Sequence, residues 1–461
     1  MRRRVLLFLL AMLPVSSALA DTGNGFHYVL DVDPTLTHVT VEVTLPARRS
    51  AVQLSARNGN AADLSWVQTC AGERLTSRQR VLMVPPEVVC LRYKALLDPL
   101  FTGGSWGVRL SAATRVASPS QFLWLPDRWE EDVNVTINGT TVSVPWPERV
   151  DEPGYRVPDS PESSRGMVVL GDFQILTVNR LRKPVAYVGP APYRDKLRLW
   201  LEHAVAQVTA VSGVFPNPDV QVLVFHVGAR GASPVPFGHV IRDQGETVAF
   251  YIDAERSLDD FLYDWTATHE FAHLLMPYIT GRHKWISEGF ASYYQNVLQM
   301  RSGSYSQGEG WQRLARSFDR AQRSGQRLSP NGSVRAGMRE GRMMIYWSGA
   351  ALALKADTTL RRRTSEPASL DVLLGRFAAC CLPATHTWHG RIFFEQLDAL
   401  GGNGVMVELF DRYANRRGLP PVEDAFAALG LNADGSPADT AGNALRDAIS
   451  RARRNAESGA R

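Results

Sequence analysis

Residues 268 to 290 read THEFAHLLMPYITGRHKWISEGF, and this stretch restricts the possible fold more tightly than any other in the chain. His269 and His273 are four apart. On a helix their imidazoles leave one face about 6 Å from each other, which suits two ligands on one metal ion. Glu270 stands between them, where its carboxylate can act on a water beside the metal. That is the H-E-x-x-H arrangement, with the glutamate as general base.

A catalytic zinc takes three protein ligands and keeps one position open, so a third ligand is required. The metzincin pattern would need glycine at 276 and histidine at 279, where this chain has Met276 and Ile279. His283 is of the right type, but the polar turn Gly-Arg-His-Lys predicts a solvent-exposed side chain. Glu288 is better placed. It follows Trp285, Ile286 and Ser287, the last expected to cap the next helix, so a chain returning across the first helix can present a carboxylate. The segment thus demands two antiparallel helices carrying His269, His273 and Glu288, with one Zn2+ per chain.

The rest of the chain divides near residue 175. From 21 to 175, segments such as FHYVLDVD, HVTVEVTLP, RQRVLMVP and VVCLRYKALL alternate or run apolar over strand lengths between Gly, Pro, Asn and Asp. Asn138-Gly139, inside VNVTINGTTVSV, is a hairpin signal. An antiparallel β-sandwich is expected there. From 176 to 431 the pattern becomes mainly helical. YRDKLRLWLEHAVAQVTAVSG is a helix closed by glycine, and DVQVLVFHV and ETVAFYIDA are strands. SLDDFLYDWTATHEFAHLLM is read as one helix capped by Ser257 and ended by Pro277. Residues 432 to 461 are polar and predict a disordered tail. The fold class is α+β.

Residues 1 to 20 have the form of a signal peptide: three arginines, a short apolar run and Ala-Leu-Ala before the cut. This predicts an exported protein, periplasmic or secreted, and no later segment has the ~20 apolar residues of a membrane span. Without those arginines the formal charge falls from +5 to +2, which offers nothing to nucleic acid. In an exported chain Cys70 and Cys90 could form a disulfide across the β-rich part, whereas the adjacent Cys380 and Cys381 could be bridged or free. The oligomeric state is not encoded legibly.

HEFAH followed by WISEGFASYY resembles the gluzincin metallopeptidases, whose aminopeptidases carry Trp-x-x-Glu-Gly-Phe after the H-E-x-x-H helix. The order of elements is most similar to the glycyl aminopeptidase family, without its PDZ-like module. The resemblance implies a thermolysin-like catalytic domain and a peptide or protein substrate. It also implies a role for Tyr346, which with Gly349-Ala350 matches a family tyrosine and would donate a hydrogen bond to the oxyanion. The family signature that binds a substrate's amino terminus, Gly-Gly-Leu-Glu-His or Gly-x-Met-Glu-Asn, is not intact. The one remnant is Glu246 in DQGETVAFYI, an expected ammonium anchor if the chain is an aminopeptidase.

Two alternatives stay open. The chain could be an endopeptidase of the same fold, or a non-catalytic peptide-binding or assembly factor on a peptidase scaffold. Gly103-x-Ser105-x-Gly107 formally matches a nucleophile elbow, but a strand-like segment follows it where a helix is needed. His386 and His389 are three apart beside a proline and read as surface or core histidines.

Overall fold

The computed structural model describes residues 25–55, 66–78, 80–97, 111–127, 132–150, 152–158, 166–242, 246–363, 368–384, 386–438 and 440–451. The signal-like segment 1–20 and the Gly103-x-Ser105-x-Gly107 stretch lie outside them.

The first part contains strands β1 (Gly25–Val32), β2 (His38–Thr44), β3 (Val52–Ser55), β4 (Val67–Thr69), β5 (Val81–Val84), β6 (Cys90–Leu96), β7 (Thr114–Ala117), β8 (Leu125–Pro126), β9 (Asp132–Asn138), β10 (Val142–Ser143), β11 (Tyr155–Val157) and β12 (Val168–Gly171). A six-stranded sheet runs β11-β9-β1-β2-β6-β4, and a three-stranded sheet runs β5-β3-β8. Alternation along β2 turns Val39, Val41 and Val43 inward, where they join Leu54, Leu82 and Leu125 of the smaller sheet in one core. Two sheets over one core make the sandwich. It is not wholly antiparallel, because β1 and β9 pair in parallel. Cys70 is bonded to Cys90, Cα to Cα 5.4 Å, tying the end of β4 to the start of β6.

The Asn138-Gly139 turn forms, but it closes no hairpin. Gly139 has φ +85°, and a Cβ there would lie 2.8 Å from the Val32 carbonyl oxygen. The turn throws the chain out of the large sheet, so β10 pairs with β12 rather than with β9.

The second part opens on a five-stranded sheet, order β13-β14-β15-β17-β16, made of β13 (Gln174–Leu176), β14 (Val185–Val188), β15 (Gln221–His226), β16 (Phe237–Ile241) and β17 (Thr247–Ile252). Its central strands β14, β15 and β17 are parallel and apolar on both faces, as a sheet covered on both sides must be. Val222, Val224, Val248 and Phe250 face the helices. Leu223, Phe225, Ala249 and Tyr251 face the other way and pack with Val116, Met167 and Val169 from β7 and β12 and the residue before β12.

The helices are α1 (Arg194–Ser212), α2 (Leu258–Tyr263), α3 (Thr266–Ala272), α4 (Lys284–Ser302), α5 (Gln307–Gly325), α6 (Pro330–Arg363), α7 (Leu370–Cys381), α8 (Gly390–Leu397), α9 (Val405–Tyr413), α10 (Glu423–Ala428) and α11 (Asn443–Ser450). α1 ends at Gly213, φ +86°. α6 is two helical stretches joined at Gly337, φ +78°. Cys380 and Cys381, at the end of α7, are bonded to each other. α11 corrects the expected tail: Ile449 is buried, and its carbonyl accepts a hydrogen bond from Arg301. Among the described residues no helix is long and apolar enough to cross a membrane.

Candidate metal centre and cleft

The expected single helix from 258 to 276 is two. Ser257 caps α2 in a capping box with Asp260, and the chain then breaks at Asp264, whose backbone is extended. The Asp264 carboxylate accepts a 2.8 Å bond from the Thr266 amide, starting α3 afresh, and a second from the Ser233 hydroxyl. α3 is short, and His273 falls on the 3-10 turn His273–Leu275 that continues it. The two imidazoles still share a face, with ring centroids 4.9 Å apart.

Glu288 comes to both of them. Its Oε2 lies 3.5 Å from Nε2 of His269 and 3.5 Å from Nε2 of His273. Ligands held at about 2.0–2.1 Å by one tetrahedral zinc stand about 3.4 Å apart, so the spacing suits a shared ion better than direct hydrogen bonds. All three side chains are buried. The far nitrogens are also held. His269 Nδ1 is 2.7 Å from Gln295 Oε1, and His273 Nδ1 is 2.9 Å from Ser287 Oγ. An amide oxygen only accepts, so His269 carries its proton on Nδ1 and turns the Nε2 lone pair toward Glu288. Lys284 Nζ sits 3.1 Å from the other Glu288 oxygen. The donor set and its orientation fit zinc.

Charge is distributed accordingly. Burial pulls the His273 imidazole down to about 4 despite Glu288, which favours the neutral, ligating form. Burial also penalises the Glu288 carboxylate, but the two imidazoles facing it outweigh that and hold the group well below the usual range. Glu270 has no such partner, and burial raises it to about 7.

Glu270 is packed under the edge strand β16. A Cβ on Gly238 would lie 2.8 Å from Glu270 Cγ, so the glycine lets the strand pass directly over the carboxylate. Tyr346, on α6, stands opposite, its ring 5.9 Å from that of His269. Burial raises its hydroxyl pKa, and the charges of Glu288 and Glu270 add to the shift. The hydroxyl is therefore a proton-bearing donor. These groups line a cleft of about 810 Å³ between β16, α3, α4, α5 and α6, within the range of small-ligand and peptide sites.

Glu246 is not among the residues lining that cleft. β16 runs beside α3 with Gly238 at the cleft and Arg242 near the helix's other end, where Arg242 donates to the carbonyls of His273 and Met276. Glu246, the residue before β17, lies there, 3.5 Å from Arg242 and accepting 2.9 Å from Asn217. It braces the end of the metal helix.

His283 is also displaced from its expected setting. It is 4% exposed, and its Nδ1 accepts from the Gly390 amide at 3.2 Å while its ring stands 4.3 Å from that of His389. The start of α8, remote in sequence, covers it. His386 stacks on Trp388. Ser287 does not cap α4, which begins three residues earlier at Lys284. It is a partner of His273 instead.

The residues that sequence reasoning missed are Gln295, Gly238 and the strand that carries Gly238. Gln295 lies seven residues beyond Glu288, hence on the same helical face, and that spacing is the signal that points to it.

Residues 277–337, which include Glu288 and begin just after His273, match the family described as M61 glycyl aminopeptidase. The fold is similar to an aminopeptidase N family protein from Idiomarina loihiensis, at 14% identity and TM-score 0.62, over 88% of this chain and 78% of that one. It is similar to native yeast LTA4 hydrolase at 14% identity and TM-score 0.50, over 88% and 70% of the two chains. Legionella pneumophila aminopeptidase A, solved in complex with aspartic acid, matches at 12% identity and TM-score 0.51, over 86% of this chain and 49% of its own length. No curated protein matches the sequence. At such identities the likeness shows the fold, that of the gluzincin aminopeptidases. With the family match it supports a metallopeptidase.

Proposed function

From a gluzincin fold and a segment of glycyl aminopeptidase sequence, we propose that the chain is an exported zinc peptidase that hydrolyses peptide bonds from the amino end. The observation that carries the reading is the convergence of His269, His273 and Glu288 at metal-ligand spacing with the unpaired carboxylate of Glu270 beside them. Zinc, when bound by the three ligands, polarises a carbonyl and acidifies water.

The chain's own residues do the rest. Glu270 accepts a proton from the attacking water and returns it to the leaving amine. Tyr346 donates a hydrogen bond to the oxygen on which charge develops. Gly238, with no side chain, lets strand β16 lie directly against Glu270 and hold the base in place. Export is supported by the apolar leader and by cysteines bonded in pairs, Cys70 with Cys90 and Cys380 with Cys381.

One observation favours a second reading. Glu246 is occupied by Arg242 and Asn217, and without an ammonium anchor in the cleft cleavage need not be tied to a free amine. A mixed peptide library read by mass spectrometry, with free and N-acetylated termini, decides between the two. Cleavage restricted to free amines supports the aminopeptidase. Equal cleavage of acetylated peptides makes it an endopeptidase, and bound zinc without turnover leaves a binding or assembly factor.

A further inference from the structure

One wall of the cleft is cationic beyond what the peptidase chemistry uses. On α5, Arg313, Arg316, Ser317 and Arg320 fall at i, i+3, i+4 and i+7, a single helical face, and all four line the cleft. Arg342, on α6, lines it too, one turn before Tyr346. Arg313 is committed to structure. It is 3.0 Å from Glu309, donates 2.6 Å to the Tyr263 hydroxyl and lies over the Tyr305 ring.

The other three are not committed. Among the described residues Arg320 donates only to the Ser317 hydroxyl, 3.0 Å away. Arg316 feels Glu309 at longer range, and Arg342 acts on Tyr346. Among the described residues none of the three is ion-paired with a carboxylate. The acidic groups that line the cleft are already engaged: Asp264 in starting α3 and Glu270 as the proposed base. Three guanidiniums facing one cleft repel each other unless an anion joins them, and guanidinium is the donor best matched to a carboxylate.

We propose that the cleft selects peptides carrying a carboxylate at or next to the scissile bond, held by Arg316, Arg320 and Arg342. The distance argument is short. Arg342 is one helical turn, about 5.4 Å, from the residue expected to hold the oxyanion, and an extended peptide advances about 3.4 Å per residue. The carboxylate therefore belongs to the cleaved residue or its neighbour, either as an Asp or Glu side chain or as the free C-terminus of a short peptide. This inference rests on the peptidase reading of the same cleft.

The test uses the full-length zinc-loaded protein and peptide pairs that differ only in Glu against Gln at one position, each with a free or amidated C-terminus. Exposed guanidiniums are screened, so the expected preference for the acidic member is about tenfold in kcat/KM at low salt, shrinking as ionic strength rises. It should fall toward unity in Arg316→Gln combined with Arg320→Gln, and again on adding Arg342→Gln, while the melting temperature holds. Loss of preference on amidation assigns the carboxylate to the terminus. Preference that follows the Glu position assigns it to a side chain. Equal kcat/KM for acidic and neutral pairs, or a preference that survives all three substitutions, overturns the inference. Calorimetric titration of the same peptides into the Glu270→Gln protein keeps the two readings apart. If no peptide is cleaved, the peptidase reading fails, and tighter or equal binding of the acidic peptides still decides the carboxylate question.

Discussion

Gly289 of α4 and Gly349 of α6 touch backbone to backbone. A Cβ built on Gly349 would lie 2.9 Å from the Gly289 Cα, and one built on Gly289 would run into the Gly349 main chain. Each glycine has a site residue close by, Glu288 immediately before Gly289 and Tyr346 one turn before Gly349. The crossing therefore sets how far Glu288, the proposed third ligand, stands from Tyr346, the proposed oxyanion donor. Helices with ordinary side chains at the contact stay 8–10 Å apart, and a methyl group at this crossing would push the pair open.

Gly349→Ala should accordingly destabilise the protein by about 1–3 kcal/mol, the usual cost of overpacking, and lower its melting temperature by several degrees. Turnover should fall with it. Gly308→Ala, in the first turn of α5 with open space around the position, is the control and should be neutral or slightly stabilising. A Gly349→Ala protein with wild-type melting and turnover would remove the crossing from the account.

His273→Ala should abolish stoichiometric zinc binding, because two protein ligands rarely hold a catalytic zinc against a chelator. The measurement is metal content after dialysis against EDTA. Full zinc occupancy in the variant would reject His273 as a ligand.

Glu270→Gln should keep its zinc and lose nearly all turnover, since the substitution removes the base and no ligand. Tyr346→Phe should also keep zinc and lose about 100-fold in kcat, the typical effect of deleting one oxyanion donor. Wild-type kcat in Tyr346→Phe would leave that hydroxyl with a packing role only.

Gln295→Leu tests the support behind the ligands. With no acceptor for its Nδ1 proton, His269 is free to change tautomer and ring angle, and zinc affinity should fall about 10- to 100-fold. Competition with a chromophoric chelator reads it directly. Unchanged affinity would mean the ring is held by packing alone.

Much of this arrangement was legible because the signals were local. The helix face of His269 and His273, the returning Glu288, the capping at Ser257 and the glycine after α1 each depend on spacings of a few residues. What was not legible depended on distant chain. The polar turn around His283 gave no hint that Gly390 would cover it. The strand pattern of β1 could not name β9 as a parallel partner about a hundred residues away. The apolar periodicity through 258–276 hid the break at Asp264, because the break comes from one side chain bonding one amide. Strand β16 is short, half-buried and preceded by a proline-rich loop, so it lacked the alternation that revealed its neighbours.

The apolar layer between the two parts has a consequence for how the chain can be divided. Leu223, Phe225, Ala249 and Tyr251 meet Val116, Met167 and Val169, and Lys183 donates to the carbonyls of Val144, Pro145 and Trp146 across the same seam. The β-rich part thus covers the second face of the five-stranded sheet. A fragment begun at residue 176 would carry all three proposed ligands yet expose a greasy sheet face to water. It should aggregate instead of working as a minimal enzyme, which makes the proposed zinc centre a poor candidate for transplanting without its neighbour.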